Sequence, residues 1–305
     1  MEITVDQLAQ LSPAMARTLI PQWLGTFVVV EPTHEEKMVC EVHELLQQTS
    51  DEDILDALHH LATIGSEYAL YRAHPLAREM TRIYMSALMY ASELRGLDHL
   101  QQAMARGPCM LVSNHLAYCD TQVKDLLLAR NGADDIAQSM VAIAGPKVYG
   151  TVFRRMASAG LSTMKTAQSA DVAHNAAALS PREVARIALD TVKRAGDLMR
   201  SGSPVLIYGE GSRSRDGRLQ PFLRAVRKYA AVPDLQIVPV AVTGTNEMMP
   251  LHQIKMFGRP VAVQVGPPVH VQSNDRAGAI AEAWHQIAAM LPPEHQPASA
   301  TQSIA

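Results

Sequence analysis

Hydrophobic residues recur at helical spacing through roughly the first hundred residues of the chain. Ser50 stands before a run of acidic residues, which is typical of a helix N-terminus, and apolar residues then follow every third or fourth position. A second helix is predicted from Pro75 through Leu94. Apart from the short apolar run Phe27 to Val30, no pattern here favours a strand. We therefore expect an N-terminal helical region over residues 1–105.

From residue 108 the pattern changes to short apolar runs bounded by glycine, proline and asparagine. They are too short for helices and predict buried strands at 109–112, 205–208, 237–242 and 261–265. Pro239 within the third run suggests an edge or irregular strand.

Helical patterns alternate with these runs. One extends from Thr121 to Arg130 and ends at Asn131-Gly132, and another begins at Ser180-Pro181 and ends at Gly202. The alternation predicts an α/β domain over residues 106–291, with a largely parallel central sheet flanked by helices. The last residues, 292–305, are rich in Pro, Ser, Gln and Ala and are expected to be a disordered tail.

Composition narrows the class of protein. The chain has 305 residues, of which 48% are hydrophobic and 19% charged, as expected for a globular protein. A net charge of -3 gives no general attraction for nucleic acid. The acidic N-terminus lacks the features of a signal peptide, and no apolar run is long enough to cross a bilayer. We expect a cytoplasmic protein that would meet lipid, at the inner membrane face, from the water side.

The first candidate for chemistry is His115, which follows the predicted strand 109–112, together with Asp120. Loops at the carboxyl ends of strands are where open α/β sheets place their sites. Residues five apart on a continuous helix point about 140° away from each other, so these two can meet only if a turn precedes a helix that starts at Asp120. Such a pair suits general-base catalysis, with the carboxylate fixing the imidazole tautomer. A histidine that merely caps a helix is the alternative.

A second candidate is the loop that follows the run 205–208, at the same edge of the sheet. Gly209 and Gly211 allow close approach of the backbone. Arg213 and Arg215 supply guanidinium groups suited to phosphate. A solvated loop with no function is the alternative.

These features occur in one order, and in that order the chain resembles the glycerophospholipid acyltransferase family. That family carries a His-x4-Asp block, a middle block with Phe and Arg, a Glu-Gly-x-Arg-Ser block and a Val-Pro block. The matching segments here are His115 to Asp120, Val152-Phe153-Arg154-Arg155, Glu210-Gly211-Ser212-Arg213-Ser214 and Val238-Pro239-Val240. The resemblance covers roughly residues 108–270.

The layout departs from the family pattern in two places. Gly209 stands where the family usually has proline, and an extra segment, Ala167 to Ser180, lengthens the interval between the first and third blocks. With the N-terminal helical region, this layout is similar to the soluble glycerol-3-phosphate acyltransferases of plastids. That resemblance implies a phosphate-binding lysine, for which Lys165 is the match by spacing.

The resemblance implies an O-acyltransferase that moves a fatty acyl group from acyl-CoA or acyl carrier protein to glycerol 3-phosphate or 1-acyl-glycerol 3-phosphate. His115 and Asp120 would be catalytic, and the acceptor would be held by Glu210, Gly211, Arg213, Arg215 and Lys165. Apart from the acyl thioester co-substrate, neither a cofactor nor a metal is expected.

Two other functional classes stay open. A serine hydrolase or thioesterase would use Ser113 or Ser212, although no Gly-x-Ser-x-Gly pattern is present. A non-catalytic module could bind an acyl group or a carrier protein on the same fold.

Two further features have open interpretations. Cys119 lies inside the first block, either as a reactive thiol or, as we favour, as a small space-filling residue. A local basic cluster could dock a carrier protein, the phosphate of coenzyme A or anionic lipid headgroups, or be solvated surface; it consists of Arg215, Arg218, Arg224, Arg227 and Lys228.

Overall fold

The computed structural model describes residues 4–167, 179–272 and 274–298, so most of the extra segment Ala167 to Ser180 lies outside the described residues. The helices are α1 (Val5–Ala9), α2 (Pro13–Gly25), α3 (Pro32–Gln48), α4 (Asp51–Thr63), α5 (Pro75–Leu88), α6 (Leu97–Arg106), α7 (Asp120–Arg130), α8 (Asp134–Ser139), α9 (Val152–Ala159), α10 (Pro181–Arg200), α11 (Val226–Tyr229), α12 (Thr245–Met248) and α13 (Arg276–Met290). The strands are β1 (Val28–Val29), β2 (Leu70–Tyr71), β3 (Glu93–Arg95), β4 (Cys109–Ser113), β5 (Val141–Ala144), β6 (Ser162–Lys165), β7 (Val205–Tyr208), β8 (Gln236–Thr243), β9 (Met256–Phe257), β10 (Ala262–Val265) and β11 (Val269–His270).

The main sheet has the strand order β2-β6-β5-β7-β4-β8-β10-β3, and β11 pairs beside it with β8. Neighbouring strands are parallel throughout the part of the sheet that consists, in spatial order, of β6, β5, β7, β4 and β8. β10 and β11 pair antiparallel with β8, and β2 pairs antiparallel with β6. The predicted fold class, a largely parallel central sheet flanked by helices, is confirmed. The carboxyl ends of β4, β6, β7 and β8 therefore share one edge of the sheet.

The four predicted strands are all present, as β4, β7, β8 and β10. Of the two alternatives predicted for the run with Pro239, the edge position is not observed, because β8 lies inside the sheet between β4 and β10. Its irregularity is real, however. On the side away from β4, the partner changes at Pro239: Val240 pairs with β10, whereas Ile237 pairs with β11. Pro239 thus lies where the hydrogen-bonded pairing on this side of β8 is interrupted. Its missing N–H therefore costs the sheet few hydrogen bonds.

The helix predicted from Pro75 through Leu94 is too long. α5 ends at Leu88, and Glu93–Arg95 forms β3, which pairs in parallel with β10. Helical spacing alone cannot detect a three-residue edge strand, because its stability comes from a partner about 170 residues further along the chain. The run Phe27 to Val30 does contain a strand, β1, which pairs with β9 outside the main sheet.

The N-terminal region is helical but does not form a separate layer. Its strands β2 and β3 supply the two edges of the main sheet. One continuous hydrophobic cluster includes Leu58 of α4 and Met80 of α5 together with Leu111 of β4 and Val238 of β8. This cluster extends across residue 105, where the sequence predicts a boundary, and the domain division stays a prediction.

The predicted tail is ordered at its start. His295 accepts a hydrogen bond from Leu219 through its carbonyl oxygen, and its ring Nδ1 lies 2.7 Å from the Gly217 oxygen. The predicted disorder therefore does not extend to residues 292–298, and residues 299–305 lie outside the described part of the chain. Among the described helices, none combines the length and the apolar character needed to span a bilayer.

Candidate active site

The turn between β4 and α7 brings His115 and Asp120 together. Nδ1 of His115 lies 2.8 Å from Oδ2 of Asp120, and Asp120 is the first residue of α7. The Asp120 carboxylate also accepts hydrogen bonds from the backbone N–H groups of Leu116, at 2.8 Å, and Ala117, at 3.1 Å. Asp120 is fully buried, whereas 16% of the His115 side chain is exposed. This arrangement leaves Nε2 of His115 as the ring nitrogen that could act on a substrate.

Asn114 holds the start of this turn in place. Its side-chain amide donates to the Val242 carbonyl oxygen at 2.9 Å and accepts from the Val242 N–H at 2.8 Å. Asn114 therefore extends the pairing between β4 and β8 by one residue beyond the last strand pair. His115 follows immediately and so leaves the sheet from a fixed point.

Tyr208, the last residue of β7, supports the imidazole from the neighbouring strand. The rings of His115 and Tyr208 stack with their centroids 4.0 Å apart and an interplanar angle of 22°. The Tyr208 hydroxyl is hydrogen-bonded to Thr121 Oγ1 at 2.8 Å. The ring is thus fixed at both ends, and it sets the plane of His115.

Glu210 connects the two loops that carry the candidate residues. Its carboxylate accepts hydrogen bonds from the His115 N–H at 3.2 Å and from the Gln220 N–H at 3.1 Å. The Ser214 N–H donates to the His115 carbonyl oxygen at 2.8 Å. The first and third sequence blocks, about 95 residues apart, therefore form a single hydrogen-bonded unit.

The two glycines of this loop are favoured for different reasons, Gly209 by close packing and Gly211 by its backbone conformation. A Cβ atom on Gly209 would lie 2.4 Å from the ring of Phe222, and one on Gly211 would lie 2.3 Å from Leu223. Gly211 also has a φ of +71°, which disfavours other residues. Because the Phe222 ring occupies the space beside position 209, glycine fits there, whereas the glycerophospholipid acyltransferases usually have proline.

Arg213 contacts Tyr118, a residue for which the sequence did not indicate a role. Its guanidinium carbon lies 3.7 Å from the ring centroid of Tyr118, and that of Arg154 lies 4.3 Å from the same centroid. Tyr118 stands three residues after His115, inside the first block. Two guanidinium groups thereby contact one ring that stands three residues after His115, and guanidinium groups are suited to binding a phosphate.

The other two predicted phosphate ligands are not joined to this group by any contact among the described residues. Arg215 is exposed. Lys165 ends β6, three strands from β4, which corresponds to roughly 14 Å across a sheet. Its ammonium group donates to the Gly65 carbonyl oxygen at 2.5 Å and lies over the ring of Tyr68.

The two arginines of the middle block have different surroundings. Arg154 lies over Tyr118 and donates to the Lys147 carbonyl oxygen at 3.3 Å, but Arg155 donates to the carbonyl oxygens of Tyr149, at 3.0 Å, and Ala62, at 2.7 Å. Arg155 therefore ties α9 to the end of α4. Contiguous residues on a helix point about 100° apart, which explains why only one of the pair reaches Tyr118.

Electrostatics differ strongly among the buried groups of the site. Burial alone would raise the pKa of Asp120, but the hydrogen bond and charge of His115, together with the charge of Lys124, lower it overall. Burial raises the pKa of Glu210 to about 8, against the lowering effect of its two backbone hydrogen bonds. Asp120 is therefore ionised at neutral pH, and Glu210 is largely protonated.

Cys119 is not suited to nucleophilic chemistry. It is buried, and burial followed by the charge of Asp120 raises the pKa of its thiol far above the ordinary range. A thiolate is the reactive form of cysteine. The structure therefore favours the space-filling interpretation.

A parallel α/β sheet with an imidazole–carboxylate pair and two arginines at one edge defines a candidate enzyme for an anionic substrate. The profile of the acyltransferase family matches residues 91–243, which contain all these residues. The chain belongs to the acyltransferase family. The matched range contains the segments that correspond to the first, second and third sequence blocks.

Three relatives have similar names. The chain is 28% identical over 163 residues to the chloroplastic 1-acyl-sn-glycerol-3-phosphate acyltransferase BAT2 of Brassica napus, covering 53% of this chain and 40% of that protein. It is 26% identical over 199 residues to the chloroplastic LPAT1 of Arabidopsis thaliana, covering 63% and 49%. It is 31% identical over 110 residues to a 1-acyl-sn-glycerol-3-phosphate acyltransferase of Chlamydomonas reinhardtii, covering 36% and 33%. The chain thus spans half or less of the length of these relatives.

The fold is also similar to a solved structure. The crystal structure of the 1-acyl-sn-glycerophosphate acyltransferase PlsC from Thermotoga maritima matches with a TM-score of 0.50 and 12% identity. The match covers 90% of this chain and 97% of that one. It includes residues well before position 91, so the likeness in fold extends into the N-terminal region.

Proposed function

We propose that this protein is an O-acyltransferase of glycerophospholipid synthesis, which moves a fatty acyl group from a thioester to a hydroxyl of a glycerol phosphate. The observation that carries this proposal is the joint placement of the His115–Asp120 pair and the two arginines stacked on Tyr118. The first can activate a hydroxyl, and the second can hold a phosphate on the same molecule. Membership in the acyltransferase family supports the reaction class.

The proposed reaction is direct transfer. Nε2 of His115 takes the proton of the acceptor hydroxyl, and Asp120 holds the imidazole by Nδ1 and stabilises its positive charge. The resulting alkoxide attacks the thioester carbonyl carbon. The carbon–sulfur bond then breaks, and the imidazolium returns its proton to the departing thiolate. General-base catalysis of this kind contributes typically 10²–10⁴ in rate.

The acceptor is proposed to bind through its phosphate. Arg213 and Arg154 are the ligands that the geometry favours, because both guanidinium groups lie over Tyr118. Arg215 and Lys165 are proposed as more distant contributors to the positive field. Glu210 and Gly211 shape the loop against which the acceptor would lie.

We propose 1-acyl-glycerol 3-phosphate as the first acceptor to test, with glycerol 3-phosphate as the second. The names of the three relatives favour the acylated acceptor. The sequence layout instead suggested the glycerol-3-phosphate acyltransferases of plastids. Acyl-CoA and acyl carrier protein both remain proposed donors. We propose that the reaction takes place in the cytoplasm, with peripheral contact at the inner membrane face.

A serine hydrolase is less well supported by the geometry. Ser113 is fully buried, and its hydroxyl donates to the adjacent Asn114 carbonyl oxygen at 3.0 Å. Ser212 is exposed, and no contact among the described residues joins it to His115. Neither hydroxyl therefore has the hydrogen bond to the imidazole that would activate it.

A thiol-release assay tests the proposal. Purified wild type, His115→Ala and the exposed-histidine control His59→Ala would receive palmitoyl-CoA or palmitoyl carrier protein with each acceptor. We expect acceptor-dependent release from wild type and His59→Ala, and a loss of about 10²-fold or more in His115→Ala. Release that needs no acceptor would instead establish a thioesterase. Binding of the thioester by folded wild type without turnover would favour the non-catalytic module.

A further inference from the structure

A charged residue outside the predicted site, Lys124, lies buried next to Asp120 and Tyr208. Lys124 is one helical turn after Asp120 on α7, and only 2% of its surface is exposed. Its ammonium group lies 3.4 Å from the Asp120 carbonyl oxygen and 5.0 Å from the ring centroid of Tyr208, the ring on which His115 stacks. Lys124 thus contacts, from within the core, both Asp120 and Tyr208, the two residues that hold the His115 imidazole.

A buried ammonium group is costly unless its charge is used, because removal from water disfavours the charged form. Burial lowers the pKa of Lys124 to about 8, although the charge of Asp120 opposes this change. Lys124 is therefore mostly protonated at neutral pH. A hydrophobic side chain of similar length would fill the same space without this cost, so packing alone does not account for a lysine.

The other groups around the pair leave few charges beside it. Titratable or charged groups come from the loop before α7, the end of β7 and the loop after β7; they are Cys119, Tyr208, Glu210 and Arg213. Burial raises the pKa of the thiol, the phenol and the carboxyl, so all three are mainly neutral at neutral pH. Of the groups named here in the described part of the chain, those that stay ionised are the Asp120 carboxylate, the Lys124 ammonium and the Arg213 guanidinium, with Asp216 further away beside Glu210.

We propose that Lys124 is a positioning residue whose buried positive charge keeps Asp120 ionised and restrains protonation of His115, so that the general base is free at neutral pH. Its role as a base modulator rests on the proposed function. Asp120 by itself favours the imidazolium form, because a nearby carboxylate stabilises a cation. The positive charge of Lys124, close to the same carboxylate, offsets this effect. Without it, His115 would hold its proton to higher pH and would be a poorer base at neutral pH.

The direct test is an NMR titration of His115 in histidine-labelled protein, with the resonance assigned by its absence in His115→Gln. In Lys124→Met, which keeps the length of the side chain but loses the charge, the midpoint of His115 should rise by roughly one pH unit. The control Lys147→Met removes an exposed lysine at the same edge of the sheet and should leave the midpoint unchanged. A shift below about 0.2 unit in Lys124→Met would overturn the proposal and leave Lys124 a purely structural role.

Activity provides a second readout. The acid limb of the pH–rate profile should move to higher pH in Lys124→Met and return toward the wild-type position in Lys124→Arg. Wild type that titrates as expected but releases no thiol would refute the proposed function while leaving the charge effect established. Active wild type with an unmoved acid limb and an unmoved midpoint would refute the role of Lys124 alone.

Wild type by itself tests the proposal should Lys124→Met fail to fold. Deprotonation of Lys124 near pH 8 should then appear as a second step in the His115 resonance. Glu210 titrates in the same range, so the step is measured again in Glu210→Gln. A step that persists in this variant supports the coupling to Lys124, and its disappearance contradicts it.

Discussion

At the scale of single residues, Glu210 combines two properties that oppose each other. Its carboxyl group accepts two backbone hydrogen bonds that favour the charged form, yet burial raises its pKa to about 8. Between its ordinary pKa of 4.5 and this value, the native state holds a proton that the unfolded state has lost. Stability therefore falls as the pH rises through this window.

We expect Glu210→Gln, which mimics the protonated carboxyl, to remove this dependence. Wild type should lose roughly 3–5 kcal/mol between pH 5 and pH 9 relative to Glu210→Gln. Urea unfolding of both proteins at pH 5, 7 and 9 measures the difference. Lys124 stays in both, so its opposite effect above pH 8 cancels. Parallel stability curves would mean that Glu210 is ionised throughout.

At the scale of elements, α9 separates two neighbouring arginines into different roles. Arg154 lies over Tyr118, whereas Arg155 is bound to the carbonyl oxygens of Tyr149 and Ala62. A run of two arginines in sequence suggests one shared role. The helical turn of about 100° per residue is what assigns them to the site and to the scaffold.

Methionine substitution should reveal this separation in kinetics. We expect Arg154→Met to raise KM for the phosphate acceptor about 10-fold, with KM for the acyl thioester unchanged, because one charge-assisted bond is lost. Arg155→Met should leave both KM values near wild type and lower the melting temperature. Steady-state kinetics with varied acceptor, followed by thermal unfolding, make the comparison. Equal effects of the two variants on acceptor KM would contradict the assignment.

At the scale of the whole molecule, ion pairs connect the N-terminal region to the helix that carries Asp120. Arg82 of α5 binds Asp125 of α7 at 2.8 Å and Asp134 of α8 at 2.6 Å. Arg78 lies 3.7 Å from Asp125 and donates to the Gly160 carbonyl oxygen at 3.1 Å. The Asp125 side chain is almost fully buried, so these cations compensate its charge.

Loss of Arg82 should therefore destabilise the fold. We expect Arg82→Met to cost about 3–5 kcal/mol, because it leaves a buried carboxylate with one distant partner. Arg95→Met, which breaks an exposed pair with Glu93, should cost less than about 1 kcal/mol. Chemical denaturation of the two variants against wild type measures both values. A loss in Arg82→Met no larger than in Arg95→Met would show that the pair does not hold the regions together.

The local part of the architecture could be predicted from sequence because it depends on neighbouring residues. The Ser180–Glu183 capping box begins α10, and the apolar runs became β4, β7, β8 and β10. β5 and β6 were not predicted, and β6 (Ser162–Lys165) has few of the apolar residues by which the other strands were recognised. β2 and β3 are shorter still, and partners distant in sequence hold them in the sheet.

The sequence by itself determined the α/β class, the order of the blocks and the requirement that a turn bring His115 to Asp120, because these follow from local periodicity and helix geometry. Only the tertiary structure decided which cations stand beside that pair. Lys124 contacts Asp120 and Arg154 lies over Tyr118 in the turn between the pair, whereas Lys165 lies against Gly65. The physical reason is that charged side chains are placed by strand order and helix rotation, which bring together residues that no spacing along the chain relates.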